Sequence, residues 1–479
     1  MKTEMHLGGW VVFGAFLAGC GSSGNSSTPA APADASTSPV VQVDVDAECP
    51  VIVSDTPCDT TQRPIVFVHG TYDSGGQIAN IAMLFTSNGY CASRFIAIDY
   101  NSLLVVTGGP ATAASAPLDV AIDAVLQATG ATQVDLMGHS QGADQCYSYL
   151  ADPAHAAKVA HYVHLAGGAQ SAPPGPEDAS VPTLSIASNS DVIEGPIGVT
   201  GAQQTVLLES EDHIRVATSV NSFIPIWQYL HQGADGMPDG QFPQYTSIQC
   251  GDPAITLSGI SETIGDNSPP ATGESLQVFE MGNSLLDAGA PLQTFAQTAD
   301  SGAAFSLQGK RMQPYVFTGL AADGGVIGRL YFNSFKRSNF WLRALQPSQD
   351  PLAVIATSAA TSLNDNREAT YLVRTTGGSF RADLGESLTV NGFEALNSTD
   401  ATRQTATAAL WMFDGNKDGK SEGGGLSSVD ILPFFIRGTD VFVSSSPPAW
   451  VEMNYNGTVF QVPNWPSVSQ GITEVTFVQ

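Results

Sequence analysis

The stretch whose residue types and spacing speak first for chemistry is Gly138-His139-Ser140-Gln141-Gly142. It fits G-x-S-x-G. It follows an apolar run, Gln133–Met137, that reads as a strand, and it precedes a helical pattern from Gln141. A chain turning from strand to helix around one strained residue thrusts that side chain clear of the sheet. Gly138 and Gly142 let the two elements approach closely. Ser140 is the candidate nucleophile, and a serine hydroxyl needs a base to take its proton. The chain has eight histidines. His6 lies in a leader-like segment. His69 and His139 sit in tight turns, and His155 is in a surface-like stretch. His161 and His164 share one strand pattern and point to opposite faces, and His231 ends a helix. His213 remains, in the loop Ser210-Glu211-Asp212-His213 after the strand pattern Thr205–Leu208, and is the candidate base. An acid must orient that imidazole and stabilise its cation. Asp191 follows the strand pattern Pro182–Ala187 and is the candidate, with Glu194, Glu211 and Asp212 as rivals. A tetrahedral intermediate needs N–H donors at its oxyanion. Gln141 N–H, at the helix start, is one. Thr71 N–H, just after the strand end His69-Gly70, is the other, with the Thr71 hydroxyl or Tyr72 beside it.

These residues need a scaffold. From Pro64 to about Leu230 the pattern alternates strand and helix: strands at Pro64–Val68, Arg94–Asp99, Gln133–Met137, Val159–Leu165, Pro182–Ala187 and Thr205–Leu208, helices at Gln77–Ser87, Pro117–Thr129, from Gln141, and Val220–Leu230. Mostly apolar strands alternating with helices predict an α/β fold with a parallel sheet covered on both faces. Beyond residue 250, about eleven short strand-like runs follow with few helical stretches, which predicts a β-sandwich or β-barrel. They include Leu276–Met281, Tyr315–Leu320, Leu352–Ala356, Ala408–Phe413, Val441–Val443 and Ile472–Val478. The boundary is expected at 245–275, rich in Gly, Pro, Asp and Ser.

Composition narrows the partners. Lys+Arg number 18 against 45 Asp+Glu, a net charge of −27, so the chain has few cations for a nucleic-acid face or for anionic lipid. Apolar residues make up 43%, enough for sizeable cores. Leu7–Gly19 is an uncharged run of 13, too short to span a bilayer at about 20 residues but suited to a signal-peptide core. Leu17-Ala18-Gly19-Cys20 ends it, and Gly21–Pro39 reads as a flexible tether. The expected organisation is a leader at 1–20, a tether at 21–48, a catalytic domain at 49–250 and a β-rich domain at 251–479.

Export permits disulfides. Cys49–Cys58 is the expected pair, Cys91–Cys250 a second, and Cys146, in a helix read as buried, the free thiol. Asp414-Gly415-Asn416-Lys417-Asp418-Gly419 has oxygen-bearing residues at alternate positions with a Gly at the bend, which suits a structural Ca²⁺ on Asp414, Asn416 and Asp418; a solvated β-turn is the competing reading. No cofactor is required for the chemistry above.

Taken together, PIVFVHG (64–70), FTSNGY (85–90), GHSQG (138–142), VAHYV (159–163), HIRVATSVNSF (213–223), ALWMFDGNKDG (409–419) and VPNWPSVSQGITEVTF (462–477) resemble the two-domain archaeal and bacterial lipases: an α/β-hydrolase fold followed by a C-terminal β-barrel. Leu17–Cys20 is similar to a lipobox, which implies lipidation at Cys20, and the following Gly implies the outer membrane or cell surface as the destination. The resemblance implies hydrolysis of triacylglycerols or other carboxylesters. It carries over Ser140, His213, Thr71 and Gln141, with Ser140, Asp191 and His213 in the chain order of that fold. Some relatives carry an acid just after the VAHYV strand, where this chain reads Leu165-Ala166-Gly167-Gly168. Residues 169–181 are too few for a large lid, so a partial cover is expected from 101–117, with Leu103–Val106 as acyl contacts, or from the β-rich domain. The alternatives are a polyester depolymerase or cutinase-like hydrolase, and an inactive surface-binding lipoprotein.

Overall fold

The computed structural model describes residues 58–106, 112–231, 254–281, 289–298, 303–346, 369–396, 407–424, 426, 436–444 and 450–478. Cys20, Cys49, Cys250 and the expected strand Leu352–Ala356 lie outside them. The described residues belong to one compact unit.

Six strands build the first sheet: β1 (Ile65–Val68), β2 (Phe95–Ile98), β3 (Val134–His139), β4 (Val159–Leu165), β5 (Thr183–Ser188) and β6 (Gln204–Leu208). Their order is β2-β1-β3-β4-β5-β6 and every pairing is parallel. The helices between and after them are α1 (Ala79–Ser87), α2 (Ser102–Val106), α3 (Ser115–Thr129), α4 (Gln141–Leu150), α5 (Pro153–Ala156), α6 (Arg215–Thr218) and α7 (Val220–Leu230). Successive residues of a strand face opposite sides, and β1 uses both. Ile65 and Phe67 pack with α1 and α7, through Phe85, Phe223 and Trp227. Val66 and Val68 pack with α3 and α4, through Leu118, Ile122 and Tyr149. This double burial is why β1 and its inner neighbours read as continuous apolar runs. Phe67, fully buried between neighbours, is a position where truncation to Ala costs about 3–5 kcal/mol. The short α2 lies in the expected cover segment. Leu103 is buried, whereas Leu104 is 44% exposed.

Among the described residues, the β-rich part comprises three sheets. The largest has eight strands: β8 (Ser275–Glu280), β9 (Gln293–Ala296), β11 (Tyr315–Leu320), β12 (Val326–Phe332), β14 (Tyr371–Thr375), β17 (Ala409–Phe413), β18 (Ile436–Asp440) and β21 (Ile472–Phe477). A three-stranded sheet joins β7 (Ala254–Thr263), β10 (Ala304–Lys310) and β13 (Asn339–Gln346). A four-stranded one joins β15 (Leu388–Val390), β16 (Phe393–Glu394), β19 (Trp450–Tyr455) and β20 (Thr458–Pro463). The two parts of the chain pack directly together. Trp341 of β13 enters the core beneath the first sheet and donates its indole N–H to Phe95 O at 2.9 Å.

Three features differ from the reading above. Within the 245–275 stretch lies a strand not read there, β7, whose Ile255 and Leu257 are buried. Its period of two was hidden because Thr, Ser and Gly occupy the alternate sites. Val441–Val443 is not a strand. The paired segment is Ile436–Asp440, parallel to β17, and Val441 and Val443 are buried in irregular backbone just after it. Cys58 bonds to Cys91, in place of either expected pair. The bridge Asp59–Tyr90 brings the two ends together, a tertiary contact that cysteine spacing does not encode. Cys146 is free and buried, as read from the sequence.

Candidate active site

Ser140 stands between β3 and α4 with φ 52° and ψ −127°. Such a backbone costs a non-glycine residue on the order of 1–3 kcal/mol, and its surroundings hold it there. Ser140 N–H donates to Leu165 O (2.9 Å), and Ser140 O accepts from Ala143 N–H (2.8 Å). The flanking glycines are sterically required. A Cβ on Gly142 would lie 2.3 Å from Val68 O and 2.4 Å from His69 O, and one on Gly138 would lie 2.7 Å from Gly142 O. Gly70 packs against the serine itself, since a Cβ there would stand 3.1 Å from Ser140 Cβ.

Asp191 follows β5 and His213 follows β6, so both lie beyond the same end of the sheet as Ser140. Asp191 Oδ2 is 2.9 Å from His213 Nδ1, and both side chains are almost wholly buried. A carboxylate can only accept here, so Nδ1 carries the proton and Nε2 is left as the basic nitrogen of the neutral ring. Burial alone would raise the Asp191 pKa. The His213 hydrogen bond and charge, with the N–H groups of Ile193 (2.9 Å) and Glu194 (3.1 Å) on Oδ1, outweigh it and hold the carboxyl below its ordinary value. Two of the rivals are engaged elsewhere. Glu211 accepts from Asn221 Nδ2 (2.5 Å), and Asp212 accepts from Ser379 Oγ (2.6 Å). Glu194 is pushed up by burial, against the opposing pull of the nearby His213 and with the charges of Asp144 and Asp191 adding to it, whereas the Asp191 carboxylate makes the hydrogen bond to Nδ1. Just after β4, Gly167 leaves no room for an acid. At Gly167 a Cβ would already meet Ala143 Cβ at 2.5 Å.

Polar side chains behind the turns hold this arrangement, and sequence reasoning did not single out three of them: Gln77, Tyr100 and Asn267. His139 Nε2 lies 2.8 Å from His213 O, so that nitrogen bears the proton and Nδ1 accepts from Gln77 Nε2 at 3.0 Å. Burial, then the nearby His213, lowers the His139 pKa to about 3, which keeps this tautomer neutral. Tyr100 places its hydroxyl between two acceptors, Gln141 Oε1 (2.9 Å) and His69 O (3.0 Å). Asn267 Nδ2 reaches His69 Nε2 (3.0 Å) and Asp73 O (2.7 Å). Tyr72, at φ 61°, donates its N–H to Ser102 Oγ at 2.9 Å. Thr71 is thereby fixed between two anchored residues. Gln141 is the first residue of α4, where a main-chain N–H has no partner inside the helix. No local motif signals Gln77, Tyr100 or Asn267. Only their position behind the turns identifies them.

A cleft of about 700 Å³, part of it open to solvent, begins at Thr71 and Tyr72 and passes Ile214, next to the histidine. Its apolar far wall comes from the β-rich part: Leu345, Leu372, Trp411 and Ile436. At 414–419 the Asp414 carboxylate accepts the N–H groups of Lys417 (2.6 Å) and Gly419 (2.7 Å), so it caps its own turn. Among the described residues no three His, Cys, Asp or Glu side chains group to hold a metal ion. Among them, too, no helix is long and apolar enough to cross a membrane.

Comparison with known proteins gives partial matches. The model of the class 2 lipases matches residues 62–145, and a second model, described only as a "-like, C-terminal domain", matches 361–478. No curated protein matches the chain. Among solved structures, a Bacillus licheniformis lipase overlaps with 16% identity and a TM-score of 0.29, covering 36% of this chain and 93% of that one. An Aspergillus fumigatus lipase B overlaps with 13% identity and a TM-score of 0.30, covering 40% and 58%. A pyrethroid hydrolase from Sphingobium faniae does so with 16% identity and a TM-score of 0.27, covering 36% and 99%. The class 2 match spans β1 and the turn that carries Ser140, on an all-parallel sheet with helices on both faces, and over that stretch the chain is similar to the class 2 lipases.

Proposed function

We propose that this protein is an exported serine carboxylester hydrolase that acts on acyl esters such as triacylglycerols. The observation that carries the reading is the His213–Asp191 pair at 2.9 Å, beyond the same sheet end as a serine held at φ 52°. His213 Nε2 takes the Ser140 proton as the oxygen attacks the ester carbonyl. Thr71 N–H and Gln141 N–H receive the oxyanion. The imidazolium, stabilised by Asp191, returns its proton to the leaving alcohol. Water, activated by the same nitrogen, then attacks the acyl-enzyme and frees the acid. The acyl chain would lie in the cleft between Tyr72 and Ile214 on one side and Leu372 and Trp411 on the other, where burying each methylene is worth roughly 0.8 kcal/mol.

The test is hydrolysis of p-nitrophenyl esters from acetate to stearate beside emulsified triolein, by the chain without residues 1–20 and by its Ser140→Ala variant. Turnover of long chains, lost in the variant, supports a lipase. Turnover confined to short chains moves the assignment to an esterase or polyester hydrolase. No turnover by the folded protein overturns the reading. We further propose that lipidation of Cys20 tethers the body to a membrane at the cell surface. Metabolic labelling with palmitate should mark the full chain and miss Cys20→Ala; equal labelling of both refutes the anchor.

A further inference from the structure

The loop that carries His213 is clamped by one segment of the β-rich part, residues 377–386 between β14 and β15. Asp212, next to His213, is fully buried. Its Oδ1 accepts the N–H groups of Ile214 and Arg215, both at 3.0 Å, and so fixes the backbone that leaves the histidine. Its Oδ2 accepts Ser379 Oγ at 2.6 Å and lies 3.6 Å from Arg381 Nη1. Arg381 is itself buried. Nη1 donates to Ser210 O (2.7 Å), Nε and Nη2 grip Asp383 (2.7 and 2.9 Å), and its main-chain N–H donates to Glu386 Oε2 (2.7 Å). Arg215 reaches back to Ser379 Oγ (3.1 Å) and Ser379 O (2.9 Å) and pairs with Glu386, while Thr218 Oγ1 donates to Gly377 O (2.8 Å). The loop is thus pinned before the histidine at Ser210, beside it at Asp212, and after it at Arg215 and Thr218.

Adhesion alone does not account for this clamp. A buried ion pair contributes little net stability over apolar packing of the same shape, because desolvation offsets the attraction. A fully hydrogen-bonded network does fix one geometry. Here the fixed element is the backbone of His213, whose carbonyl is gripped on its other side by His139. The imidazole can meet both Asp191 and the Ser140 hydroxyl only if that backbone stays in place.

We propose that Ser379 and Arg381 are positioning residues for His213, acting through Asp212, so that the β-rich part completes the geometry of the general base as well as walling the cleft. This rests on the serine-hydrolase reading of Ser140, Asp191 and His213.

The test uses the whole chain without residues 1–20 and compares Ser379→Ala and Asp212→Asn with the parent. Three quantities are read on a p-nitrophenyl ester: kcat and KM separately, the pH profile of kcat/KM, and the rate at which a fluorophosphonate labels Ser140. A folded Ser379→Ala should lose 10- to 100-fold in kcat with KM nearly unchanged, and phosphonate labelling should slow by a similar factor. The acid limb of its profile should move to lower pH, since an imidazolium less well aligned with Asp191 is less stabilised. If Ser379→Ala does not fold, Asp212→Asn, which keeps the shape and loses the charge, should give the same three changes. Unchanged kcat and unchanged pH limb in a folded variant overturn the proposal, as does a change confined to KM. A parent that neither turns over esters nor labels at Ser140 would overturn the hydrolase reading itself, a result distinct from an active parent indifferent to Ser379.

Discussion

Replacing Glu262 with glutamine should stabilise the protein at neutral and alkaline pH. Glu262 lies on β7, 1% exposed, with Oε1 3.7 Å from Arg343 Nε. The same guanidinium is already committed to Asp99 at the end of β2, through Nε (3.1 Å) and Nη2 (2.7 Å). Asp99 Oδ1 also accepts Gly75 N–H at 2.6 Å, so it is the better-served carboxylate. Burial, and then the neighbouring Asp99, push Glu262 up to about 9 from its ordinary value of 4.5. The sign follows from linkage. Between those two values the folded chain keeps the proton and the unfolded chain releases it. Wild-type stability therefore falls as pH rises, by roughly 1.4 kcal/mol per pH unit. At pH 7 the accumulated penalty is about 3 kcal/mol, a figure that depends only on the folded value lying above 7. The amide in Glu262→Gln cannot ionise and escapes it. Urea-unfolding midpoints of both proteins at pH 5, 6, 7 and 8 check the argument. The variant should gain on the wild type steadily with pH, from near equality at pH 5. A difference that does not change with pH, or a variant that is the less stable at pH 8, would refute the reasoning.

Asp191→Asn removes the acceptor that sets the His213 tautomer, and kcat should fall on the order of 10⁴-fold with the fold intact by circular dichroism. Gly142→Ala drives a Cβ into Val68 O and His69 O, so it should cost about 3 kcal/mol in urea unfolding and disturb the Thr71 turn as well. The paired Cys58→Ala and Cys91→Ala changes open a loop of 33 residues and should lower stability by about 3–4 kcal/mol, while Cys146 stays unreactive to a thiol reagent until the protein unfolds. The turn at Asp414 closes on its own main-chain hydrogen bonds, so EGTA should leave the thermal midpoint unchanged. A fall of several degrees reversed by CaCl₂ would instead assign Asp414, Asn416 and Asp418 to a calcium ion.

Local constraint decided what the amino-acid order determined by itself. Ser140 sits where a strand must become a helix around one residue, and the spacing of Gly138 and Gly142 states that geometry outright. Continuous apolar runs marked β1 to β5 because both sheet faces are covered, whereas β6 is an edge strand with Leu207 47% exposed, and the same alternation placed the candidates Asp191 and His213 after β5 and β6. Contacts between residues far apart in the chain were decided only by the packed molecule. Cys58 meets Cys91 because the Asp59–Tyr90 bridge aligns them. The strand Ala254–Thr263 exists because β10 and β13 flank it, although its Gly and Ser content mimics a linker. Gln77, Tyr100 and Asn267 carry no motif, since their work depends on which turn they stand behind. Ser379 and Asp212, 167 residues apart, share a hydrogen bond that no periodicity announces. Spacings of two to five residues are written in the backbone's own geometry, whereas a partner across the chain is chosen by which surfaces bury each other.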